Sequence, residues 1–116
     1  MHRGFWLAGV LALVLSACGH SEPAGYAKLV LHDSAWDQVH VQIVVTKSAD
    51  CDSRGRGFIS TKTILMKQDD EEPLQVPDGA GVCWRRDRDP KHPVAGDWSG
   101  WSRATLYPGT DTKTDL

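Results

Sequence analysis

The chain lacks both a basic surplus and the motifs of the common catalytic folds. Its 116 residues carry 13 basic and 15 acidic side chains, so the formal net charge is −2. Little positive charge is left to neutralise phosphates, and we expect no nucleic-acid partner. No two histidines have the i, i+4 spacing of a helical zinc site, and neither a Gly-x-Ser-x-Gly elbow nor a phosphate-binding loop occurs. We therefore expect a protein that is not an enzyme, with no metal and no other cofactor.

Two polar segments contain residue types that enzymes and metal sites use. His32, Asp33 and Ser34 place three catalytic residue types side by side, but a triad needs residues that converge from separate segments. A turn capped by Asp or Ser explains them better, and a small hydrolase using His32 or His92 stays as an alternative. The acidic run 69–72 lacks the tight glycine turn of a calcium loop, and we predict a solvated turn there.

The chain also lacks an apolar run long enough to span a membrane. Residues 5–15 are apolar apart from Gly9, and Arg3 precedes them. Eleven positions fall well short of the roughly 20 that a transmembrane helix needs. A short basic start, an apolar stretch and small residues are typical of a secretory signal peptide. The alternative is a buried N-terminal helix.

The end of this run adds a specific motif. Leu15-Ser16-Ala17-Cys18 resembles the lipobox of bacterial lipoproteins. The resemblance implies that residues 1–17 are a cleaved signal peptide, that Cys18 takes a diacylglycerol and that the new amino terminus is acylated, for example with palmitate. In that family an Asp directly after the cysteine retains the protein in the inner membrane. Here the residue at that position is Gly19, so the resemblance implies the outer membrane, with the domain facing the periplasm. More than one acyl chain gives stable anchoring.

Only three cysteines are present, and lipid on Cys18 would leave Cys51 and Cys83. Two thiols in an oxidising compartment usually pair. We predict a disulfide that encloses the 31 residues between them. A redox or metal-binding pair is the alternative, but it lacks both a Cys-x-x-Cys spacing and nearby histidines.

Apolar residues nowhere recur at helical spacing, whereas period-two alternation is clear in segment 36–46. We predict an all-β fold, a small antiparallel sandwich or open barrel of about six short strands. The domains expected are a tether at 18–25, a β domain at 26–108 and a polar C-terminal tail at 109–116. The strand candidates are 26–31, 36–46, 58–66, 74–76, 82–86 and 101–107.

Tryptophan and arginine concentrate near the C-terminal end. Residues two apart in a strand share a face, so Trp84 and Arg86 should point the same way, and so should Trp101 and Arg103. We expect their rings and guanidinium groups to interleave as a ladder if the two last predicted strands pair. Residues 98–102, Trp-Ser-Gly-Trp-Ser, resemble the WSxWS box of class I cytokine receptors. That resemblance implies a fibronectin- or immunoglobulin-like sandwich in which the box is a structural brace. Here a Cys51–Cys83 bridge would be spaced closer than the immunoglobulin bridge. The candidate brace or binding residues are Trp84, Arg85, Arg86, Arg88, Trp98, Trp101 and Arg103.

From these observations we expect a small binding or scaffold module in the cell envelope, anchored to the membrane by lipid and contacting an envelope protein. Exposed indoles beside arginine also suit sugars and anionic ligands. The first alternative is therefore a glycan- or peptidoglycan-binding domain that uses Trp84, Trp98 or Trp101. The second is the small periplasmic hydrolase.

Overall fold

A computed structural model describes residues 25–52 and 54–116 of the chain. The expected signal peptide, Cys18 and the tether up to residue 24 lie outside the described residues. The described part contains no helix, and hence none that is long and apolar enough to cross a membrane. Its seven strands are β1 (Tyr26–His32), β2 (Gln38–Thr46), β3 (Phe58–Lys67), β4 (Glu71–Pro77), β5 (Gly81–Arg86), β6 (Ser102–Thr105) and β7 (Asp111–Asp115).

The strands form two sheets around one apolar core. The three-stranded sheet has the order β4-β1-β7 and the four-stranded sheet the order β3-β2-β5-β6. Neighbouring strands are antiparallel except β1 and β7, which are parallel. Both sheets contribute to one buried cluster that includes Leu29, Leu31, Ile43 and Trp84. The predicted all-β sandwich is confirmed, with one strand more than expected.

Strand β2 shows why the period-two pattern predicted this fold. Val39, Val41 and Ile43 are almost completely buried, whereas His40 is exposed and Gln42 only partly buried. Successive side chains of a strand point to opposite faces, so the apolar row lies against the core. Because β3 and β5 pair with its two edges, β2 is central. Its other face turns His40 and Gln42 outward, whereas Val44 and Thr46 on that face are buried.

The C-terminal segment forms a strand where the sequence pattern predicts a polar tail. The predicted β domain ends at residue 108, but Asp111–Asp115 form β7. This strand pairs in parallel with β1, from Lys28 opposite Asp111 to His32 opposite Asp115. Main-chain hydrogen bonds form the ladder, His32 Nδ1 also contacts Asp115 Oδ1 at 2.8 Å, and no β7 side chain is fully buried. No apolar periodicity therefore marks this strand in the sequence.

The acidic run 69–72 divides between a turn and a strand. Asp69 adopts a φ of 67°, a left-handed conformation that Asp tolerates better than most residues. The run is predicted as a turn, but Glu71 and Glu72 begin β4. The Lys62 ammonium of β3 pairs with the Glu72 carboxylate. That contact links the edge strands of the two sheets, which gives this acidic residue a structural partner.

A second ion pair links β7 to β4 across β1. A hydrogen bond and the charge of the Lys113 ammonium lower the pKa of the Glu71 carboxyl below its ordinary value of 4.5. The same contact raises the pKa of Lys113. Since the folded-state pKa of Glu71 is depressed, its stabilising contribution is present above pH 4.5. The contribution is lost as the pH falls through the folded-state value.

Replacing Lys113 with Met should raise the pKa of Glu71 toward 4.5, because both favourable effects of the ammonium group are removed. A pH titration of the glutamate carboxyl ¹³C resonances by NMR would measure this. Lys62→Met is the matched control, since Lys62 pairs with Glu72 instead. An unchanged Glu71 titration in Lys113→Met would show that the pair does not form in solution.

Candidate functional site

The outer face of the four-stranded sheet, turned away from the three-stranded sheet, collects most of the residues that the sequence singled out. Ile43 and Trp84 lie opposite each other in β2 and β5, and both belong to the core. Their neighbours Gln42 and Arg85, also opposite each other, must therefore point outward. The outer face is the candidate functional site.

The predicted disulfide fastens a loop onto this face. Cys51 and Cys83 are bonded, with their Cα atoms 5.9 Å apart, which confirms the prediction. Cys83 is fully buried within β5, whereas Cys51 lies in the connection between β2 and β3. The bridge therefore holds Asp52 and Arg54 of that connection beside the outer face, where both line a concavity.

The arginine that stacks on the tryptophans is not the one expected. The sequence places Trp84 and Arg86 on one face as part of a ladder with Trp101 and Arg103, but Trp84 is only 7% exposed and belongs to the core. The stack forms on the opposite face because Arg85 is the residue that points outward. Its guanidinium carbon lies 4.2 Å from the ring centroid of Trp101 and 5.5 Å from that of Trp98.

Hydrogen bonds fix the position of the Arg85 guanidinium. Its Nε–H donates to Gln42 Oε1 at 2.7 Å. Asp52 Oδ1 lies 3.8 Å from Arg85 Nη1 and accepts a 2.7 Å hydrogen bond from Trp101 Nε1. Beside this group lies a concavity of about 210 Å³ that Arg54 and Phe58 also line. The Trp98–Arg85–Trp101 stack is therefore an ordered unit with its own polar partners.

The segment 98–102 joins β6 to β5 through the main chain. Trp98 forms an isolated antiparallel bridge with Asp87. The backbone N–H of Arg86 donates to Ser99 Oγ at 3.1 Å, and the Ser99 N–H donates to the Arg86 carbonyl at 2.7 Å. Ser102 begins β6 opposite Trp84. These contacts attach the segment 98–102 to the end of β5.

The other three candidate arginines do not join the stack. Arg86 lies over Trp36, with its guanidinium carbon 4.3 Å from the ring centroid. Arg88 is exposed, and its Nε–H donates to Asp97 Oδ1 at 2.8 Å. Arg103 lies opposite Cys83, and its Nη1 is 3.7 Å from the buried sulfur. Each has a structural partner, so Arg85 is the arginine held between the two indoles.

A histidine–aspartate pair on the same face escaped sequence reasoning. Asp87 Oδ2 accepts hydrogen bonds from the backbone N–H of His40 at 2.7 Å and pairs with His40 Nδ1 at 2.9 Å. The Asp87 side chain is 6% exposed and that of His40 is 48% exposed. These residues are 47 positions apart and meet only because β2 pairs with β5. The sequence signal available for this pair was an aspartate, Asp87, directly after a predicted strand.

The His40 concavity is a second hollow on the outer face, with a volume of about 260 Å³. The 88–97 loop supplies one wall, and Trp98 and Thr63 lie beside the histidine. The loop is closed by the Arg88–Asp97 side-chain contact and by a hydrogen bond from the Arg88 N–H to the Asp97 carbonyl at 3.0 Å. The residues lining the concavity are His40, Thr63, Asp87, Pro93, Ala95, Gly96 and Trp98.

The residues of the hydrolase alternative do not assemble. Asp33 Oδ1 accepts the backbone N–H groups of Ala35 and Trp36 at 3.0 and 2.9 Å, which is the expected turn cap. That turn also explains why the strand predicted over 36–46 begins at Gln38. His32 contacts Asp115 and Asp69, and the His92 side chain is 85% exposed. Within 25–52 and 54–116, no three His, Cys, Asp or Glu residues are grouped to hold a metal.

Comparison with known proteins gives no further guide. No family model, curated protein or solved structure matches the chain. Its own geometry offers two adjacent features on one face. One is an arginine held between two indoles, and the other is a concavity that combines an oriented imidazole with an indole wall. Both are suited to binding, and neither places a nucleophile against a base.

Proposed function

We propose that this chain is a lipid-anchored, non-enzymatic binding or scaffold module of the bacterial cell envelope, at the periplasmic side of the outer membrane. Leu15-Ser16-Ala17-Cys18 after a short apolar run supports the anchor, and Gly19 supports the destination. The tether 18–25 spans at most about 28 Å when fully extended. The domain therefore meets partners within a few nanometres of the membrane surface, and an envelope protein is the partner we propose.

The observation that carries the binding role is the Trp98–Arg85–Trp101 stack. Tryptophan and arginine are the residue types most enriched at binding hot spots. Gln42 and Asp52 already hold the Arg85 guanidinium in place, so a partner need not order that side chain, and the entropic cost of association falls. Trp98 and Trp101 are only partly buried, which leaves indole surface for contact.

A role of these residues in bracing the fold would not exclude contact with a partner. A purely structural ring is expected inside the domain, as Trp84 is at 7% exposure. Trp98 and Trp101 instead keep exposed area on a face that also carries Arg54 and Phe58, stacked with 5.0 Å between guanidinium and ring centroid. Rigid aromatic and arginine side chains held on a disulfide-fastened face support a contact surface.

The anchor is tested by replacing Cys18 with Ser. Without the thiol no thioether to diacylglycerol can form. We expect incorporation of a labelled fatty acid to disappear and the protein to leave the membrane fraction. Cys51→Ser is the matched control, because that cysteine is bonded to Cys83; it should keep the label. Equal labelling of Cys18→Ser and the unmodified chain would overturn the lipoprotein proposal.

The contact surface is tested by photo-crosslinking in living cells. A photoreactive amino acid at Thr63, exposed on the outer face, should give a discrete protein adduct. The same amino acid at Thr112, exposed on β7 of the other sheet, should not. The adduct should weaken at least about tenfold in Arg85→Ala, since hot-spot residues typically contribute 2 kcal/mol or more. No adduct from Thr63, or identical adducts from both positions, would contradict the proposal.

A further inference from the structure

The His40 concavity holds an imidazole whose orientation is fixed from behind. A carboxylate oxygen only accepts hydrogen bonds, so the 2.9 Å contact with Asp87 Oδ2 requires the proton of neutral His40 on Nδ1. The other ring nitrogen, Nε2, then carries a lone pair. Within the described residues no hydrogen bond to Nε2 is present, and the side chain is half exposed. Nε2 is therefore an oriented acceptor for a ligand O–H or N–H.

The surroundings of this acceptor are mainly apolar. Trp98 and the Pro93, Ala95 and Gly96 segment line the concavity around His40. Main-chain contacts hold both walls: Trp98 bridges to Asp87, and Arg88 hydrogen-bonds to Asp97. An indole wall beside a single oriented acceptor suits a ligand with one apolar face and hydroxyl groups around its edge.

The volume of the concavity limits the size of the ligand. About 260 Å³ lies just below the 300–1,000 Å³ range of pockets that enclose drug-sized molecules. It has room for one six-membered ring and leaves the rest of a longer chain outside. A pyranose ring has an apolar C–H face that packs on indole and hydroxyls that donate to an imidazole nitrogen. It therefore matches both the size and the chemistry.

The geometry points to a saccharide site in this concavity, with one pyranose ring packed against Trp98 and one of its hydroxyls donating to His40 Nε2. Asp87 is the positioning residue, since its carboxylate hydrogen-bonds to the backbone N–H and the ring of His40. The site shares Trp98 with the Trp98–Arg85–Trp101 stack, and it does not depend on the anchor or on a protein partner. It goes beyond the proposed function because it gives the domain a glycan ligand of its own.

Metal binding and catalysis fit the same residues less well. A metal site would need further ligands, and the described part of the chain offers no group of three. Covalent catalysis would need a nucleophile whose proton His40 removes. Thr63 is the hydroxyl residue lining the concavity, and the contacts of the described residues show no hydrogen bond between it and His40. Recognition of a ligand hydroxyl needs only a hydrogen-bond acceptor, which His40 Nε2 provides.

The first measurement is the tautomer of His40, from long-range ¹H–¹⁵N NMR of the full-length chain purified in detergent, at a pH where the ring is neutral. We expect the Nδ1–H form. Predominance of the Nε2–H form would overturn the proposal, because Nε2 would then donate. This readout is independent of which sugar is used.

The second measurement is a titration of the same protein with three defined probes: a soluble muropeptide, an N-acetylglucosamine disaccharide and a lipopolysaccharide core oligosaccharide. We expect saturable shifts of the His40 ring with at least one probe, and the probe that binds identifies cell wall or lipopolysaccharide as the source. His40→Ala and Trp98→Ala should each weaken binding about tenfold, since each removes one of the two contacts.

Two matched variants make the result specific. Trp101→Ala removes an indole of the same face that does not line the His40 concavity, and His92→Ala removes an exposed histidine outside it. Both should change affinity by less than about twofold. A near-native circular dichroism spectrum verifies the fold of each variant. No saturable shift with any probe, or equal weakening by Trp98→Ala and Trp101→Ala, would overturn the saccharide site while leaving the crosslinking result unaffected.

Discussion

Reducing the Cys51–Cys83 bridge should lower the free energy of unfolding by about 3–4 kcal/mol. Residues 32 positions apart are joined, and the loss of loop-closure entropy in the unfolded chain gives that magnitude for a loop of this size. Small domains have only about 5–15 kcal/mol in total, so the reduced protein should unfold at a much lower urea concentration. Urea denaturation followed by circular dichroism, with and without a reductant, measures the difference.

The chain provides its own control for this experiment. In Cys18→Ala the reductant should have the same effect as in the unmodified protein, because Cys18 is not part of the bridge. In the double variant Cys51→Ala, Cys83→Ala the reductant should have no effect. If reduction left the urea midpoint of the unmodified protein unchanged, the bridge would contribute nothing to stability.

Trp84→Ala should cost about 3–5 kcal/mol, the range for removing a large aromatic side chain from a core. Trp84 is the largest side chain of the buried cluster and lies between Val82 and the partly buried Arg86 on the inner face of β5. Its removal opens a cavity where the two sheets meet. The variant should show a large decrease in the urea midpoint, measured by the emission of the other tryptophans.

Trp101→Ala is the matched comparison, because Trp101 is partly exposed on the outer face. We expect it to cost about 1–2 kcal/mol, from lost stacking on Arg85 and one lost hydrogen bond. The two substitutions would then differ by at least about 1 kcal/mol in the free energy of unfolding that they cost. Equal costs would mean that Trp101 is a core brace and would count against a contact surface at the Arg85 stack.

The sequence pattern was enough to predict a strand where one face of that strand is buried, because burial imposes a period-two alternation of apolar residues. The alternation of Val39, Val41 and Ile43 predicts β2 because one face of the strand lies against the core. Where a strand is held by main-chain pairing and surface contacts rather than by burial, the pattern gives no signal. Strand β7 has no buried side chain, and its sequence reads like a polar tail. Its position is decided by the unpaired edge of β1.

The candidate site likewise combines a feature that the sequence predicts with features that only the fold determines. The composition of the Trp/Arg segment marks it as unusual, but an indole and a guanidinium stack only if they point to the same face. The register of β5 sends Trp84 inward and Arg85 outward, so Trp101 stacks on Arg85 and the expected ladder with Trp84 does not form. The His40–Asp87 pair has no sequence motif because two strands far apart in the chain bring it together.

The sequence by itself determined the expected export motif, the pair of cysteines left to bond and the all-β character, because each depends on residue type and local spacing. The tertiary structure decided which side chains share a face, where the C-terminal segment pairs and how His40 is oriented. Those features depend on strand register and sheet order, which arise from contacts between distant segments rather than from any local pattern.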